Sequence, residues 1–384
     1  MYPRISDALL DLFGIDIPLP IQSFGFFVAI SFLMGGYALS QELKRKESEG
    51  LISSTINKVL RGAPATWSDL LLSGIIGFIV GYKLLFALLD YSEFAVDPQR
   101  FILSLEGSLI GGIGGLVLSV LFKYYEKKKV QLETPVYEDV EVHPYELIGN
   151  IVIIAAVSGL LGAKIFHNLE NMDQFIHDPV GMLISFSGLT FYGGMICGAA
   201  AVLYYVRKNG IGILPMLDAA APGLILAYAV GRIGCQVAGD GDWGIPNDMP
   251  QPAWMSFMPE WVWAYDYPNN VLGVDLQQDF ARKGLNSETG KAFPTPLYET
   301  AMGLVIFAIL WGLRKRITIP GMIFSIYLVF NGVERFFIEK IRINTVYEIF
   351  GNNITQAEII STFMFLLGVS GIVYFAKWGK SKEG

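Results

Sequence analysis

The sequence predicts an all-α polytopic membrane protein, and three observations carry that reading. Of 384 residues, 53% are hydrophobic and 16% charged, with a mean hydropathy of +0.46; a soluble domain carries about 25% charged residues. Apolar runs of the length that crosses a bilayer recur along the chain. Lysine and arginine concentrate in alternate loops.

Nine spans are expected, at residues 21–42, 69–91, 101–124, 147–167, 183–206, 216–236, 297–313, 321–338 and 357–376. Lys44, Arg45, Lys46, Lys58 and Arg61 follow the first, and Lys123, Lys127, Lys128 and Lys129 the third. Arg207 and Lys208 follow the fifth, Arg314 to Arg316 the seventh, and Lys377, Lys380 and Lys382 close the chain. The intervening loops are poor in such charge, Arg100 lying at a span boundary. This asymmetry places the N-terminus outside and the C-terminus in the cytoplasm. The net charge of −7 does not enter, because the rule counts Lys and Arg in short loops. Residues 1–20 lack the pattern of a cleavable signal peptide, so the first span reads as a retained helix.

Residues 81–112 recur at 162–193 without a gap. At an offset of 81, Gly81 meets Gly162, Lys83 meets Lys164 and Asp97-Pro98 meets Asp178-Pro179. Ser104 meets Ser185, Gly107 meets Gly188 and Gly112 meets Gly193. Each copy holds two spans, which makes the repeat parallel and not inverted. The chain is therefore expected to be one integral membrane domain, 1–384. Residues 69–145 would be a first, structural copy, 147–210 a second, and 237–296 an external loop or cap. The first copy has GSLIGGIGG (107–115), which reads as helix contact, where the second has GLTFYGGMICG (188–198).

The polar residues inside apolar runs locate the candidate site. Arg232 closes the run Pro222–Ile233 and Arg335 lies within Met322–Ile338. A charge in hydrocarbon is costly, so such residues face a wet cavity or a partner. The topology brings five segments to one face: Phe24-Gly25, GLTFYGG (188–194), GRIGCQVAGDGDWG (231–244), FPTPLYE (293–299) and ERFFIEKIR (334–342). Guanidinium forks match a phosphate. Glu299, Glu334, Glu339, Asp240 and Asp242 can fix those arginines or move protons. Gly231, Gly234, Gly239, Gly241 and Gly244 let backbone approach a ligand. The bland alternative is that arginines and carboxylates merely tie helices together. The whole set suits work on a lipid headgroup at the external face. A transporter or channel with an externally facing anion or headgroup site is the competing class. No HExxH, paired CxxC or Walker lysine occurs, so neither metal nor nucleotide cofactor is expected, nor a nucleic-acid partner.

These strings carry a resemblance to the bacterial prolipoprotein diacylglyceryl transferases. GRIGCQVAGDGDWG resembles the family's GRxGNFxNxExxG string, FPTPLYE its HP-x-QLYE string and ERFFIEKIR its FR-xxxE-xxR element. GLTFYGG resembles SFHGG, and ITQAEIIS (354–361) a segment of the last helix. The resemblance spans 20–45 and 150–377, with the first repeat copy as an insertion. It implies transfer of a diacylglyceryl group from phosphatidylglycerol to the lipobox cysteine thiol of a prolipoprotein, at the outer face of the bacterial cytoplasmic membrane, releasing glycerol phosphate without a cofactor. It implies that Arg232 and Arg335 hold the headgroup, that Glu339 orients Arg335, and that Asp242 or Asp240 stands for the family glutamate. Tyr298 and Glu299 match the LYE string, and Lys164 stands for an arginine of the second helix. The family histidines are Tyr192 and Phe293 here, its asparagine after GRxG is Cys235, and its tyrosine at the start of the first span is Phe24. Tyr192 is thus the candidate at the histidine position, although a phenol, at about pKa 10, is a poor base near neutrality. The three histidines, His143, His167 and His177, lie outside the matched strings. Segment 245–292, rich in Trp, Tyr and Pro, is either an aromatic membrane-boundary element or a folded loop with its own core.

Overall fold

The computed structural model describes residues 1–96, 98–185, 188–344, 346–349 and 352–382. Asp97 of the repeat lies outside the described residues. In chain order the elements are α1 (Ile5–Phe13), α2 (Ser23–Ser48), β1 (Thr55–Arg61), α3 (Trp67–Leu89), α4 (Tyr91–Val96), α5 (Pro98–Leu103) and α6 (Leu109–Lys129). Then come β2 (Val136–Val142), α7 (Ile148–Glu170), α8 (Met172–His177), α9 (Pro179–Ile184), α10 (Phe191–Lys208) and α11 (Ile213–Ala238). The chain closes with α12 (Leu276–Arg282), α13 (Thr295–Leu313), α14 (Met322–Glu339), β3 (Val346–Ile349), β4 (Asn352–Thr355) and α15 (Gln356–Lys382).

The protein is a mostly helical, multi-pass membrane protein. Among the described residues, seven helices are long and apolar enough to cross a bilayer: α2, α3, α6, α7 with the turn before it, α11, α13 and α15. α10 and α14 each have 18 residues and fall outside that set. α14 carries Glu334, Arg335 and Glu339, and α10 holds three tyrosines and ends in Arg207-Lys208.

The helices form a chain of neighbours, α2 on α11, α11 on α13, α13 on α14 and α14 on α15, with α7 and α10 paired beside α2. Ala38, Leu226 and Val230 close the α2–α11 seam. Ala221, Ile225, Ile306, Leu310 and Ile323 fill the space between α11, α13 and α14. At one end of the bundle a second buried polar group ties helices together. Glu42 pairs with Arg45 and with Arg314 at 2.8 Å, and Asp218 accepts the amides of Gly321 (2.7 Å) and Phe324 (2.8 Å) at the start of α14. Asp218 thereby satisfies donors that the start of α14 leaves open.

Two expected spans start later than apolarity indicates. The third, expected from 101, breaks into α5, a non-helical link at 104–108 and then α6; in the fifth, expected from 183, α9 ends at Ile184 and α10 begins at Phe191, with 185 and 188–190 non-helical. The link is stable because a lysine replaces the missing backbone donors. Lys83 Nζ donates to the carbonyls of Phe101 (2.9 Å), Ser104 (2.5 Å) and Glu106 (2.7 Å). Lys164 Nζ does the same at Ser185, 2.7 Å from its carbonyl and 2.9 Å from its hydroxyl. Hydropathy registers apolar length and is blind to such a break.

The repeat is visible element by element. β1, α3, α4 and α5 recur at β2, α7, α8 and α9 with the same offset of 81 residues at both bounds. β1 and β2 are thus counterparts, and they pair antiparallel, with Lys58 opposite its own duplicate Asp139. Within the first copy, α3 and α6 approach very closely. A Cβ at Gly81 would lie 2.2 Å from the Gly111 carbonyl, and one at Gly111 would lie 2.4 Å from that of Gly81. This pair presents mainly apolar side chains outward and has its principal contacts within itself.

Segment 237–296 is a folded cap. Trp243, Tyr267, Leu276, Phe280 and Ala292 form its core, joined by Met1 and Ile343. Of the two readings open from sequence, the folded loop is the one observed. Its rim nevertheless exposes Trp254, Phe257 and Trp261. Tyr298, one turn into α13, holds the cap by donating to the Val262 carbonyl at 2.8 Å.

Candidate active site

The arginines of α11 and α14 meet beneath this cap. Arg232 lies two turns before the end of α11, Arg335 one turn before the end of α14, and Glu299 one turn into α13. The site therefore sits near helix ends, where chain leaves the bundle for the cap.

Glu299 is the hub. It is 0% exposed and receives three guanidiniums. Arg232 Nη2 lies 2.7 Å from its Oε1 and 2.6 Å from its Oε2. Arg335 Nη1 and Arg342 Nη1 each lie 3.2 Å from Oε1. Asp242 bridges two of the same arginines, bound by Arg232 Nη1 and by Arg342 Nη2 at 2.7 Å. Arg335 also faces Glu339 at 3.5 Å, one turn on, and Asn344 Nδ2 donates to Glu339 at 2.6 Å. Each charge faces opposite charges, the condition under which burial is tolerated. Arg335 is the most open of the three, its side chain 29% exposed against 11% for Arg232 and 10% for Arg342.

Local geometry places each group. Arg342 lies just past α14, where Gly244 runs alongside it: Gly244 N donates to the Phe293 carbonyl and Ile245 N to the Ile341 carbonyl, both at 2.9 Å. A Cβ on Gly244 would lie 2.4 Å from the Ile341 carbonyl oxygen, so only glycine admits this approach. Thr295 Oγ donates to the Asp242 carbonyl at 2.6 Å and fixes the turn that carries that aspartate.

Asp240 and Asp242 are distinguished by surroundings. Burial opposes ionisation of Asp242, but Arg342 and Arg232 outweigh it and hold the group below the usual carboxylate range. Burial, and then the charge of Asp242, push Asp240 upward. Of the two, Asp242 is the one paired with arginine. Cys235, Asp240 and Asp242 each bring a donor atom within 4.8 Å of the others. Arg232 donates to two of these three groups, Asp242 and the Cys235 sulfur (3.3 Å).

The remaining expected residues are spread around the cluster. Tyr192 is half-buried at the start of α10, near Arg335 and Glu339. Gly231 has open space on its Cα, whereas Gly234 lies against Phe24 and Phe27 of α2. Phe24 itself is 43% exposed. Lys164 is bound to the link before α10. His143 pairs with Glu47 at the far end of the bundle, His167 contacts Asn171, and His177 is exposed on α8. Sequence reasoning assigned no role to Arg342 or Tyr228. A signal was present for Tyr228, whose hydroxyl donates to Glu299 at 2.9 Å: it precedes Arg232 by four residues, a spacing that shares a helix face.

The fold and the site thus define a multi-pass membrane protein with a cluster of arginines and carboxylates at one end of its bundle. The family model for prolipoprotein diacylglyceryl transferase matches residues 113–374. The phosphatidylglycerol–prolipoprotein diacylglyceryl transferase of Corynebacterium efficiens is 32% identical over 253 residues, covering 62% of this chain and 70% of that protein. The enzymes of the same name from Bifidobacterium adolescentis (29% over 254 residues, 62% and 69% covered) and Clostridium tetani (27% over 224 residues, 58% and 78% covered) are also similar. The chain belongs to the prolipoprotein diacylglyceryl transferase family. The matched region begins inside α6, leaving α1, α2, β1, α3, α4 and α5 outside it.

Proposed function

We propose that the chain transfers the diacylglyceryl group of phosphatidylglycerol to the lipobox cysteine thiol of prolipoproteins, releasing glycerol phosphate. Family membership gives the reaction class. The observation that carries the reading for these residues is the convergence of Arg232, Arg335 and Arg342 on one buried carboxylate, Glu299. Planar forks with five donors each suit a phosphate, which would take over contacts now made to Glu299 and Asp242. Arg335, the most open, would meet the headgroup first. Glu339 holds it in place, and Asp242 holds Arg232 and Arg342. Tyr192, Phe24 and Gly231 border the approach, and Lys164 shapes the link leading to Tyr192.

In this reading all nine long helices cross the membrane, α10 and α14 included. α14 can do so because its charges face the arginine cluster and not lipid. The Lys- and Arg-rich loops lie in the cytoplasm, the cap lies outside, and the membrane is the bacterial cytoplasmic one. The lipid slides in sideways between helices, since its tails leave hydrocarbon only at high cost. The thiol arrives under the cap. Fixed guanidiniums then stabilise the charge that grows on the leaving phosphate.

The test is reconstitution. Purified protein, phosphatidylglycerol and a peptide bearing a lipobox cysteine should yield a peptide heavier by one diacylglyceryl group, with glycerol phosphate released in equal amount. Absence of both products from folded protein would rule the reading out.

A further inference from the structure

We propose that α1 and the segment after it form a lasso seated in the bilayer leaflet on the cap's side, with lipid covering its apolar face. Nothing in this depends on the transfer chemistry.

α1 is nine residues long, and none of them is buried. An isolated helix that short is marginal in water, because most helical stability comes from packing an apolar face. Such a face exists here. Ile5, Leu9, Leu12 and Phe13 fall on one side at helical spacing, and Asp7 and Asp11 on the other. Leu12 is 62% and Phe13 69% exposed. Gly14, at φ 66°, ends the helix, with Gly14 N donating to the Leu10 carbonyl at 2.9 Å and Ile15 N to that of Leu9 at 3.2 Å. The chain then returns through Ile15, Ile17 and Ile21, all exposed.

The ends of the lasso fix its level. Ile5 N donates to the Ile21 carbonyl at 3.0 Å and Ser23 N to the Pro3 carbonyl at 2.9 Å, which closes the loop at the first residue of α2. α2 is long and apolar enough to cross a membrane, so the lasso opens where a span begins. Exposed Phe24 and Phe26 carry apolar surface on into the first turn of α2.

The polar side gives the orientation. Asp11 accepts from the Tyr2 hydroxyl at 2.5 Å and Asp7 from Arg4 N at 2.9 Å. Met1 joins the core of the cap, and Tyr2 N donates to the Val237 carbonyl at 2.9 Å, near the end of α11. The acidic side therefore faces the chain that leads to the cap, and the apolar side is turned from it. An amphipathic helix so placed lies in the membrane interface with its apolar face in the acyl boundary. Residues 5–21 hold three aspartates and no Lys or Arg, so apolar burial seats the lasso and lipid charge does not. The seat holds the start of α2 and the end of α11 level with the headgroups, five residues from Arg232.

The test is depth. Single nitroxides are attached through Leu12→Cys, Phe13→Cys and Ile17→Cys in full-length protein with Cys197 and Cys235 replaced by serine, in phosphatidylcholine nanodiscs. Collision of each label with oxygen, which concentrates in lipid, is compared with collision with a water-soluble nickel chelate. Leu33→Cys, on the open face of α2, is the lipid reference, and Asn286→Cys, exposed on the cap, the water reference. The lasso labels should share the oxygen preference of the lipid reference, and any one of the three variants that elutes as the wild type does suffices. With Leu12→Asp and Phe13→Asp together, the Ile17→Cys label should shift toward the nickel chelate, because carboxylates are costly in hydrocarbon. Nickel preference at the lasso positions overturns the proposal, and so does shielding from both reagents, which would mean a protein cover. Lipid-like labels that lose oxygen contact when a lipobox peptide is added would give the face to the peptide and equally overturn it. None of these outcomes bears on whether the protein transfers a diacylglyceryl group.

Discussion

Replacing Arg232 with alanine removes the contact that ties the end of α11 to both acidic anchors. Glu299 keeps Arg335 and Arg342 at 3.2 Å, and Asp242 keeps Arg342 at 2.7 Å. No carboxylate is left alone, so the fold should lose less than the 3–5 kcal/mol typical of a stranded buried charge; the loss of a charge-assisted contact, about 1.5–3 kcal/mol, is the better guide. Catalysis should suffer more. One preorganised donor to a developing oxyanion is worth about 2.7–4 kcal/mol, a factor of roughly 10² to 10³. Arg232→Lys keeps the charge, but one ammonium cannot span Glu299 and Asp242 as the fork does, so a loss of at least about tenfold is expected. The assay is diacylglyceryl transfer by purified variants, with extraction yield and gel-filtration profile as controls. A folded alanine variant within threefold of wild type would refute a headgroup role for Arg232.

Further expectations concern the repeat, the topology and the cap. Lys164→Ala should reduce transfer well beyond Lys83→Ala, since only the second copy leads to Tyr192; an equal loss would mean that the first copy borders the site. With Cys197 and Cys235 replaced, a cysteine at Asn269 should label on intact cells with an impermeant thiol reagent while one at Asn209 should not, and the reverse pattern would invert the protein. Asp248 accepts from Ser287 Oγ, Glu288 N, Thr289 N and Thr289 Oγ, and these bonds hold its carboxyl down to about 2. A depressed carboxyl stabilises the fold above its unfolded value near 3.9, and that contribution fades as pH falls toward 2. Asp248→Asn should therefore lower cap stability at neutral pH, read by protease resistance of 245–292, and the difference from wild type should narrow below pH 4.

The residues most legible in the sequence were those that break a rule. Arg232, Arg335 and Glu299 interrupt apolar runs, and a charge there demands a partner. Arg342 was harder to assign, because it lies just past a helix end where charge is ordinary. Asp240 and Asp242 differ only in which faces the arginines, a matter of turn geometry that spacing does not encode. The helix breaks before α6 and α10 escaped because hydropathy is blind to a lysine that caps free carbonyls from another helix. The cap's core is built from residues as far apart as Met1 and Ile343, beyond the reach of any local pattern.

The β1–β2 ribbon has a consequence for assembly. A strand paired antiparallel with its positional counterpart in the repeat mimics the self-complementary edge that joins identical molecules about a two-fold axis. Here the two versions have acquired opposite signs. β1 carries Lys58 and Arg61, β2 carries Glu138, Asp139 and Glu141, and Arg61 reaches Glu138 at 2.7 Å. Two β1 strands would set Lys58 against Lys58, and two β2 strands Asp139 against Asp139, each an unfavourable cross-strand pair. Unlike strands attract and like strands repel, so the ribbon discriminates in favour of the partner supplied by the same chain.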